Sequence, residues 1–217
     1  METRRTTRRA FLQGAATQAA GTAIFPFIVP SSVLGGGGRV APSDRIALGL
    51  IGAGNINSQH RTAFLAEKDV RIVVVCDPVV SRRQAFRDHI NQAYDGSVCV
   101  DCDDFRDVLA RPDLDAVCIG TPDHWHAILA IAAMRAGKDV YVEKPLTRTV
   151  AEGRRVVEAA ATYGRILQTG LQRRSMTAYR HACELVRNGR IGQLTRVEVG
   201  ILSINAGAGG TESCDWV

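Results

Sequence analysis

The sequence predicts an α/β protein built on a doubly wound parallel sheet. Short apolar runs alternate with longer helical stretches between residues 46 and 170. The first run, 46–51, breaks into a glycine turn, and the second, 70–76, is followed by an acidic residue. Because parallel strands need crossover connections, which are usually helices, this alternation favours a parallel sheet with helices on both faces.

Strands are predicted where apolar and β-branched residues cluster between turn signals. They are 46–51, 70–76, 98–100, 116–119, 140–142 and 166–169. A further run at 194–202 alternates apolar and polar residues, as a half-buried strand does, and predicts the start of a second domain. Only about fifteen residues follow it, and a lone strand and helix do not form a stable domain. The second α/β domain is therefore expected to be incomplete.

Helices are predicted between the strands, with boundaries set by capping and helix-breaking residues. They are 55–66, 81–93, 103–110, 121–136, 149–164 and 176–188. Ser81 and Gln84 have the spacing of a capping box, as do Thr149 and Glu152. A threonine, a proline and an aspartate open the 121–136 helix, which is typical of a capped first turn.

The turn after the first strand predicts a site for the phosphates of a dinucleotide. Gly52 permits a tight turn, and Gly54 lets the backbone approach a pyrophosphate closely. The following helix offers its first N–H groups, at Asn55 and Ile56, and the positive end of its dipole to that anion. Asn57 replaces the third glycine of the G-x-G-x-x-G pattern. This departure affects the expected helix–strand packing but not phosphate binding.

An acidic residue at the end of the second strand predicts which dinucleotide is bound. Asp77 stands where a carboxylate accepts hydrogen bonds from the adenosine ribose hydroxyls. Its charge repels the 2′-phosphate of NADP, so NAD is the expected cofactor and NADP the less favoured one. Arg82 and Arg83 are close along the chain and would soften this preference.

The charge distribution excludes a nucleic-acid-binding surface on the globular part. The 217-residue chain has a formal net charge of +5. Most of this charge comes from residues 1–45, which contain six arginines and two acidic residues. The remainder is nearly neutral, whereas a nucleic acid partner needs a basic face.

Residues 1–40 are predicted to be a targeting segment and linker rather than part of the fold. The run 7–12, with Arg8 and Arg9, resembles a twin-arginine export signal, and a weakly apolar stretch follows it. This resemblance implies the twin-arginine export machinery as a partner and a periplasmic or secreted location. The glycines at 35–38 are typical of a flexible linker.

The six cysteines do not predict a disulfide framework. Cys76 and Cys118 fall inside predicted core strands, where cysteine acts as a small apolar residue. Cys99 and Cys102 have C-x-x-C spacing, but a metal site needs a second such pair or nearby histidines. No metal site is predicted.

Three further motifs resemble those of the Gfo/Idh/MocA oxidoreductases, a family that includes glucose–fructose oxidoreductase and inositol dehydrogenase. They are T-P-D-H-W-H at 121–126, G-K-D-V-Y-V-E-K-P at 137–145 and Q-T-G-L-Q-R at 168–173. The resemblance extends from residue 46 to about residue 203. It implies a Rossmann domain at 46–170, followed at 171–217 by the beginning of a substrate domain.

The resemblance also implies roles for individual residues. Lys144 matches the family's catalytic lysine beside the nicotinamide, where it can donate a hydrogen bond to the developing alkoxide or ketone oxygen. Glu143 is implied to contact the nicotinamide-side ribose. The residues implied to border the dinucleotide are Thr121, Pro122 and His126, with Gln172 near the nicotinamide.

Three functions are consistent with these motifs. The favoured one is an NAD-dependent oxidoreductase of sugar metabolism, acting on a hydroxyl or ketone of a sugar, inositol or related polyol, with a homo-oligomer implied for the full-length protein. The second is a glycosidase that uses bound NAD transiently, as some relatives of this fold do. The third is a truncated, non-catalytic nucleotide-binding fragment, because Val217 precedes the aspartate and histidine that complete the family's catalytic group.

Overall fold

The computed structural model describes residues 40–198, and its sheet has six strands. They are β1 (Ile46–Ile51), β2 (Val70–Cys76), β3 (Val100–Cys102), β4 (Ala116–Ile119), β5 (Asp139–Glu143) and β6 (Leu167–Gly170). Their order across the sheet is β3-β2-β1-β4-β5-β6, and every neighbouring pair is parallel. The predicted doubly wound α/β fold is confirmed, because this is the strand order of dinucleotide-binding sheets.

Six α-helices lie within residues 40–198. They are α1 (Asn55–Ala66), α2 (Val80–Ala93), α3 (Phe105–Leu109), α4 (Asp123–Arg135), α5 (Val150–Tyr163) and α6 (Thr177–Arg187), with 3-10 turns at Pro42–Asp44 and Gln172–Ser175. The sheet and these α-helices belong to the unit that begins at Ser43. In this described range no helix has both the length and the apolar character needed to cross a membrane.

Each face of the sheet buries an apolar cluster. The first cluster packs against α3, α4 and α5, and its buried side chains include Val108, Leu129, Met134 and Val156. The second packs against α1 and α2, and includes Phe86 and Ile90. Successive residues of β2 alternate between the clusters: Val74 and Cys76 belong to the first and Val75 to the second. This alternation follows from the pleat of a strand and buries both faces of the sheet.

One predicted helix cap is confirmed and another is wrong. The hydroxyl of Thr149 accepts a hydrogen bond from the Glu152 N–H at 3.2 Å, and the Glu152 carboxylate accepts one from the Thr149 N–H at 3.4 Å. The capping box predicted at Ser81 does not form, because α2 begins one residue earlier, after Val79. No side chain caps this helix, and the carboxylate of Asp77 accepts from the N–H of the N-cap residue, Val79, at 2.8 Å.

The third strand lies two residues later than the predicted 98–100. The side-chain oxygen of Asn91 accepts hydrogen bonds from the N–H groups of Val98 and Cys99, at 2.9 and 2.8 Å. These two N–H groups therefore donate to Asn91 and not to a neighbouring strand. Pairing with β2 begins only at Val100.

The strand predicted at 194–202 is not formed over residues 194–198. A strand needs a neighbour for its backbone hydrogen bonds, and none of the described strands pairs with this segment. Residues 1–39, which include the predicted export signal, and residues 199–217 lie outside the described part of the chain.

Candidate functional site

The predicted site residues meet at one edge of the sheet, where the strands have their carboxyl ends. In doubly wound sheets, ligands bind in the crevice at this edge, at the point where the strand order reverses. Here that point lies between β1 and β4, which are neighbours in the sheet. Most of the predicted residues follow β1, β2, β4 and β5 directly or within a few positions: Gly52, Gly54, Asp77, Thr121, Pro122 and Lys144.

Gly52 makes the tight turn after β1. Its φ of 92° lies in the left-handed region that favours glycine. A Cβ at this position would lie 2.8 Å from the carbonyl oxygen of Gly120. The Gly52 N–H donates to the Cys76 carbonyl at 2.8 Å, so the turn is held between the ends of β2 and β4.

Gly54 leaves open space at the start of α1. A Cβ on this residue would meet no atom within 4 Å, and Gly54 occupies the N-cap position without a side chain to cap the helix. Asn55 is exposed and Ile56 half-buried in the first turn, where N–H groups have no partner inside a helix. The space and these donors fit the pyrophosphate of a dinucleotide.

Asn57 is fully buried where a third glycine was expected. Its amide nitrogen donates to the carbonyls of Ile51 and Gly52, at 3.0 and 2.6 Å, and its oxygen accepts from the Cys118 thiol at 3.4 Å. Room for it comes from Gly120, where a Cβ would lie 2.5 Å from the Asn57 amide oxygen. Close packing of α1 against the sheet is therefore retained. The glycine that allows it is Gly120, directly after β4, rather than residue 57 on α1.

Asp77 ties the end of β2 to the glycine turn. Its buried carboxylate accepts from the N–H of Ala53 at 2.7 Å and from the N–H of Val79 at 2.8 Å. Arg83, which was expected to soften the preference for NAD, is engaged elsewhere. It donates to Asp101 at 3.0 Å and to the Asp77 carbonyl at 3.2 Å. The predicted ribose-binding carboxylate is thus held against the backbone of the glycine turn.

Glu143 is the centre of a buried polar cluster at the end of β5. Only 3% of the residue is exposed. One carboxylate oxygen lies 2.8 Å from Nε2 of His60 and accepts from Nε2 of Gln172 at 3.1 Å. The other accepts from the backbone N–H of Lys144 at 3.1 Å. The cluster joins Glu143 to Gln172, two of the predicted site residues, and fixes the backbone of a third.

His60 was not among the predicted site residues. It lies on α1, where its ring packs edge-on against Tyr141 with 5.2 Å between the ring centroids. A signal for it was present in the sequence, because His60 is three residues after Asn57 and therefore shares that residue's face of the helix. Burial, and next the charge of Glu143, raise the pKa of Tyr141, so its phenol stays protonated beside this carboxylate.

His126 is buried and contacts backbone on both sides of its ring. Nδ1 lies 2.6 Å from the Pro145 carbonyl oxygen and Nε2 lies 2.9 Å from that of Thr121. Only 1% of the residue is exposed, so the ring lies behind the backbone segments that it contacts. It links the start of α4 to the turn that carries Lys144.

Lys144 and the residues around the start of α4 remain accessible at the site edge. Lys144 and Pro122 are exposed, and Thr121 is half-buried. The Thr121 hydroxyl is itself enclosed and has no hydrogen-bond partner among the described residues. The open cradle at Gly54 is a feature that a bound dinucleotide would explain.

A family model described as an oxidoreductase family with an NAD-binding Rossmann fold matches residues 46–171. The chain belongs to this Gfo/Idh/MocA family. Membership accounts for the strand order and for NAD as the cofactor, and the residues described above fit that group. The family resemblance that the sequence motifs indicated is confirmed.

Relatives of this family member include dehydrogenases and glycosidases. It is 36% identical to inositol 2-dehydrogenase of Salmonella typhimurium over 147 residues, which are 67% of this chain and 42% of that protein. It is 35% identical to a glycosyl hydrolase family 109 protein of Shewanella sp. over 127 residues, which are 57% of this chain and 28% of that protein. The chain therefore spans less than half the length of these curated relatives.

A solved structure gives the same fold. Scyllo-inositol dehydrogenase from Lactobacillus casei, with bound NAD(H) and scyllo-inositol, matches with a TM-score of 0.60 and 26% identity. The match covers 68% of this chain and 42% of that one. The part of the chain that aligns is the α/β sheet with its helices, the NAD-binding portion of the family.

Proposed function

We propose that this chain is the cofactor-binding part of an NAD-dependent oxidoreductase acting on a hydroxyl or ketone of a sugar, inositol or related polyol. The observation that carries the proposal is the placement of Lys144. It is exposed at the carboxyl end of β5, and its backbone is held by Glu143 and, through Pro145, by His126. Inositol 2-dehydrogenases among the relatives support the substrate class.

Cofactor binding is divided among three strand ends. The N–H groups of the turn at Gly54 hold the pyrophosphate, and the Asp77 carboxylate holds the adenosine ribose hydroxyls. Glu143 and Gln172 lie at the far side of the same edge, where the resemblance places the nicotinamide ribose. Bound NAD supplies the hydride acceptor in this class of reaction.

Lys144 acts on the oxygen of the reacting carbon in this proposal. An ammonium group donates a hydrogen bond to a ketone oxygen, and a neutral amine accepts the proton of an alcohol as hydride leaves the carbon. The role needs a lysine whose backbone does not move during the reaction. Glu143 supports this backbone by accepting from the Lys144 N–H at 3.1 Å, and Nδ1 of His126 lies 2.6 Å from the carbonyl oxygen of the next residue, Pro145.

The test is a substitution at Lys144 with a matched control. Lys144→Ala should leave NAD affinity nearly unchanged and lower turnover by roughly two to four orders of magnitude, the usual scale for a general acid–base group. Lys68→Ala removes an exposed lysine at the opposite edge of the sheet and should change neither. NADH formation is followed with a panel of sugars and inositols in the full-length gene product. Unchanged turnover in Lys144→Ala would refute the assignment.

The second candidate is a glycosidase that uses NAD transiently, which the family 109 relatives favour. The same edge would serve it, because oxidation and later reduction of one sugar carbon need the same lysine and cofactor. The products distinguish the two reactions. A cleaved glycoside without net NADH supports the glycosidase, whereas stoichiometric NADH supports the dehydrogenase.

Three further proposals concern the protein as a whole. We propose export through the twin-arginine machinery to the periplasm or outside the cell, on the basis of Arg8 and Arg9. We propose a homo-oligomer for the full-length protein.

The relatives are more than twice as long as the matched region, so substrate binding is proposed to need further residues. The 217-residue chain alone is expected to bind NAD without oxidising polyols, and reading the gene beyond codon 217 distinguishes a fragment from a natural non-catalytic form.

A further inference from the structure

Cys76 and Cys102 lie side by side at the carboxyl ends of β2 and β3. They are register partners across this parallel pair, so their side chains leave the same face of the sheet. Both thiols are free, and Sγ of Cys102 lies 3.9 Å from the carbonyl oxygen of Val75, the residue before Cys76. The next residue, Asp77, donates its N–H to the Cys102 carbonyl at 3.2 Å. The pair is therefore directly attached to the carboxylate of the cofactor site.

The C-x-x-C spacing in the sequence suggests Cys99, rather than Cys76, as the partner of Cys102. Cys99 belongs to the apolar cluster on the α1–α2 face, whereas Cys102 packs against the cluster that contains Cys76. The two cysteines of the motif thus face opposite sides of the sheet. Burial also raises the pKa of Cys99 to about 12, and its thiol faces away from both Cys76 and Cys102.

The two paired thiols differ in exposure and acidity. Cys76 is fully buried and Cys102 is half-buried. The neighbouring Cys102 thiol, and next burial, raise the pKa of Cys76, while the neighbouring Cys76 thiol lowers the pKa of Cys102. A partly exposed thiol beside a buried second thiol is the arrangement found in redox-sensitive cysteine pairs.

We propose that Cys76 and Cys102 form a reversible disulfide by exchange with a small disulfide oxidant, and that this bond weakens NAD binding. The Cys102 thiolate attacks one sulfur of the oxidant, and one half of the oxidant leaves as a thiolate. The Cys76 sulfur then attacks Sγ of Cys102, and the Cys76 proton passes to the other half of the oxidant, which leaves as a thiol. Two electrons pass from the two cysteines to the oxidant, which is reduced to two thiols.

The effect on the cofactor follows from the position of Asp77. A sulfur–sulfur bond is about 2.05 Å long, shorter than any contact between two free thiols, so the two sulfurs must move together to form it. The ends of β2 and β3 move with them, and the Asp77 carboxylate shifts relative to Ala53, which it now holds at 2.7 Å. This coupling rests on NAD binding at the site described above, whereas the thiol chemistry does not.

The disulfide is tested by peptide mapping of the whole chain. The protein is treated with oxidised glutathione, its remaining thiols are alkylated, and it is digested with trypsin, which separates residues 72–82 from residues 88–106. We expect these two peptides to be linked through Cys102. The link should persist in Cys99→Ala and disappear in Cys102→Ser.

The exposed Cys183 serves as an internal control for the oxidant. If Cys183 is fully converted to its mixed disulfide while both Cys76 and Cys102 are still alkylated, the proposed pair is refuted. A link that runs through Cys99 refutes it as well. Restoration of both thiols by dithiothreitol is expected, because the bond forms by exchange.

The coupling is tested by calorimetric titration of NAD into the reduced and the oxidised chain. The Kd should be about tenfold higher for the oxidised form, which corresponds to about 1.4 kcal/mol. Cys102→Ser should bind NAD equally before and after oxidant treatment. Equal affinity of the reduced and oxidised wild-type chains overturns the coupling. A reduced chain that binds no NAD overturns both the coupling and the cofactor site, and the peptide map still decides the disulfide.

Discussion

Nε2 of His60 lies 2.8 Å from a carboxylate oxygen of Glu143, and this contact joins the helix after the glycine turn to the E-K-P segment. The exposed fractions of the two side chains are 12% and 4%. Because an ionised carboxylate only accepts hydrogen bonds, His60 is the donor. The other carboxylate oxygen accepts from the Lys144 N–H. His60 therefore positions the proposed catalytic lysine through Glu143.

The first prediction follows from this contact. His60→Phe keeps an aromatic ring against Tyr141 but removes a donor from a buried carboxylate. We expect a loss of about 1–3 kcal/mol in the free energy of unfolding, the usual cost of a hydrogen bond to a buried charged group. Urea denaturation measures it, and His89→Phe, at an exposed histidine on α2, is the matched control.

A double-mutant cycle separates this contact from general packing. Glu143→Gln keeps the shape of the side chain and removes its charge, so His60→Phe should cost less in that background than in the wild type. Equal costs in the two backgrounds would mean that the ring's packing, rather than its hydrogen bond, sets the stability at this position.

The strands were predicted well where an apolar run is bounded by turn residues. The ranges 46–51, 70–76 and 116–119 agree with the structure, because buried parallel strands are continuously apolar. The strand predicted at 98–100 was displaced because the side chain of Asn91 takes two backbone N–H groups. That bond joins a helix to a loop, and no local pattern of apolar residues reports it.

The second prediction concerns the choice between NAD and NADP. Asp77→Asn keeps an acceptor for the Ala53 N–H but removes the charge that repels a 2′-phosphate. The ratio of the two dissociation constants should move towards NADP by about tenfold, or about 1.4 kcal/mol. Asp69→Asn, just before β2 at its opposite end, should leave the ratio unchanged. Tighter binding of NADP than of NAD by the wild-type chain would refute the role of Asp77 in cofactor choice.

The third prediction concerns the segment that precedes the described residues. Replacing Arg8 and Arg9 with lysine should retain the protein in the cytoplasm, because the twin-arginine signal is expected to need both arginines. The matched control replaces Arg4 and Arg5 with lysine, which makes the same two conservative changes outside the motif. Cell fractionation and immunoblotting measure the distribution. Equal export of both variants would show that the motif is accidental.

The site was predicted less completely than the strands. Gly52, Gly54 and Asp77 lie as expected, because each belongs to a local motif whose geometry is set by the turn itself. His60 was missed, and the backbone contacts of His126 were not predicted, since the contacts of His60 with Glu143 and of His126 with Pro145 join residues distant in the chain. The sequence carries the identity of such residues, but only the packing of α1 and α4 against the sheet determines which groups they meet.

The last prediction concerns the pair Asn57 and Gly120, which replaces the third glycine of the motif. A Cβ at residue 120 would lie 2.5 Å from the buried amide oxygen of Asn57. Gly120→Ala should therefore destabilise the chain by about 1–3 kcal/mol, the usual cost of overpacking. Gly153 lies inside α5, and a Cβ there would lie 3.5 Å from the Thr147 hydroxyl, an ordinary contact distance. Gly153→Ala should therefore be neutral or stabilising.

Restoring a glycine at the motif position tests the pair directly. Asn57→Gly alone removes the hydrogen bonds to the carbonyls of Ile51 and Gly52 and should destabilise the chain. In the Asn57→Gly background, however, the new Cβ of Gly120→Ala has no side-chain amide to clash with. The substitution should therefore lower the free energy of unfolding much less than in the wild type. The coupling energy from urea denaturation of the four proteins should be about 0.5–3 kcal/mol. Additive effects would show that the space at Gly120 exists for another reason, such as the turn at Gly52.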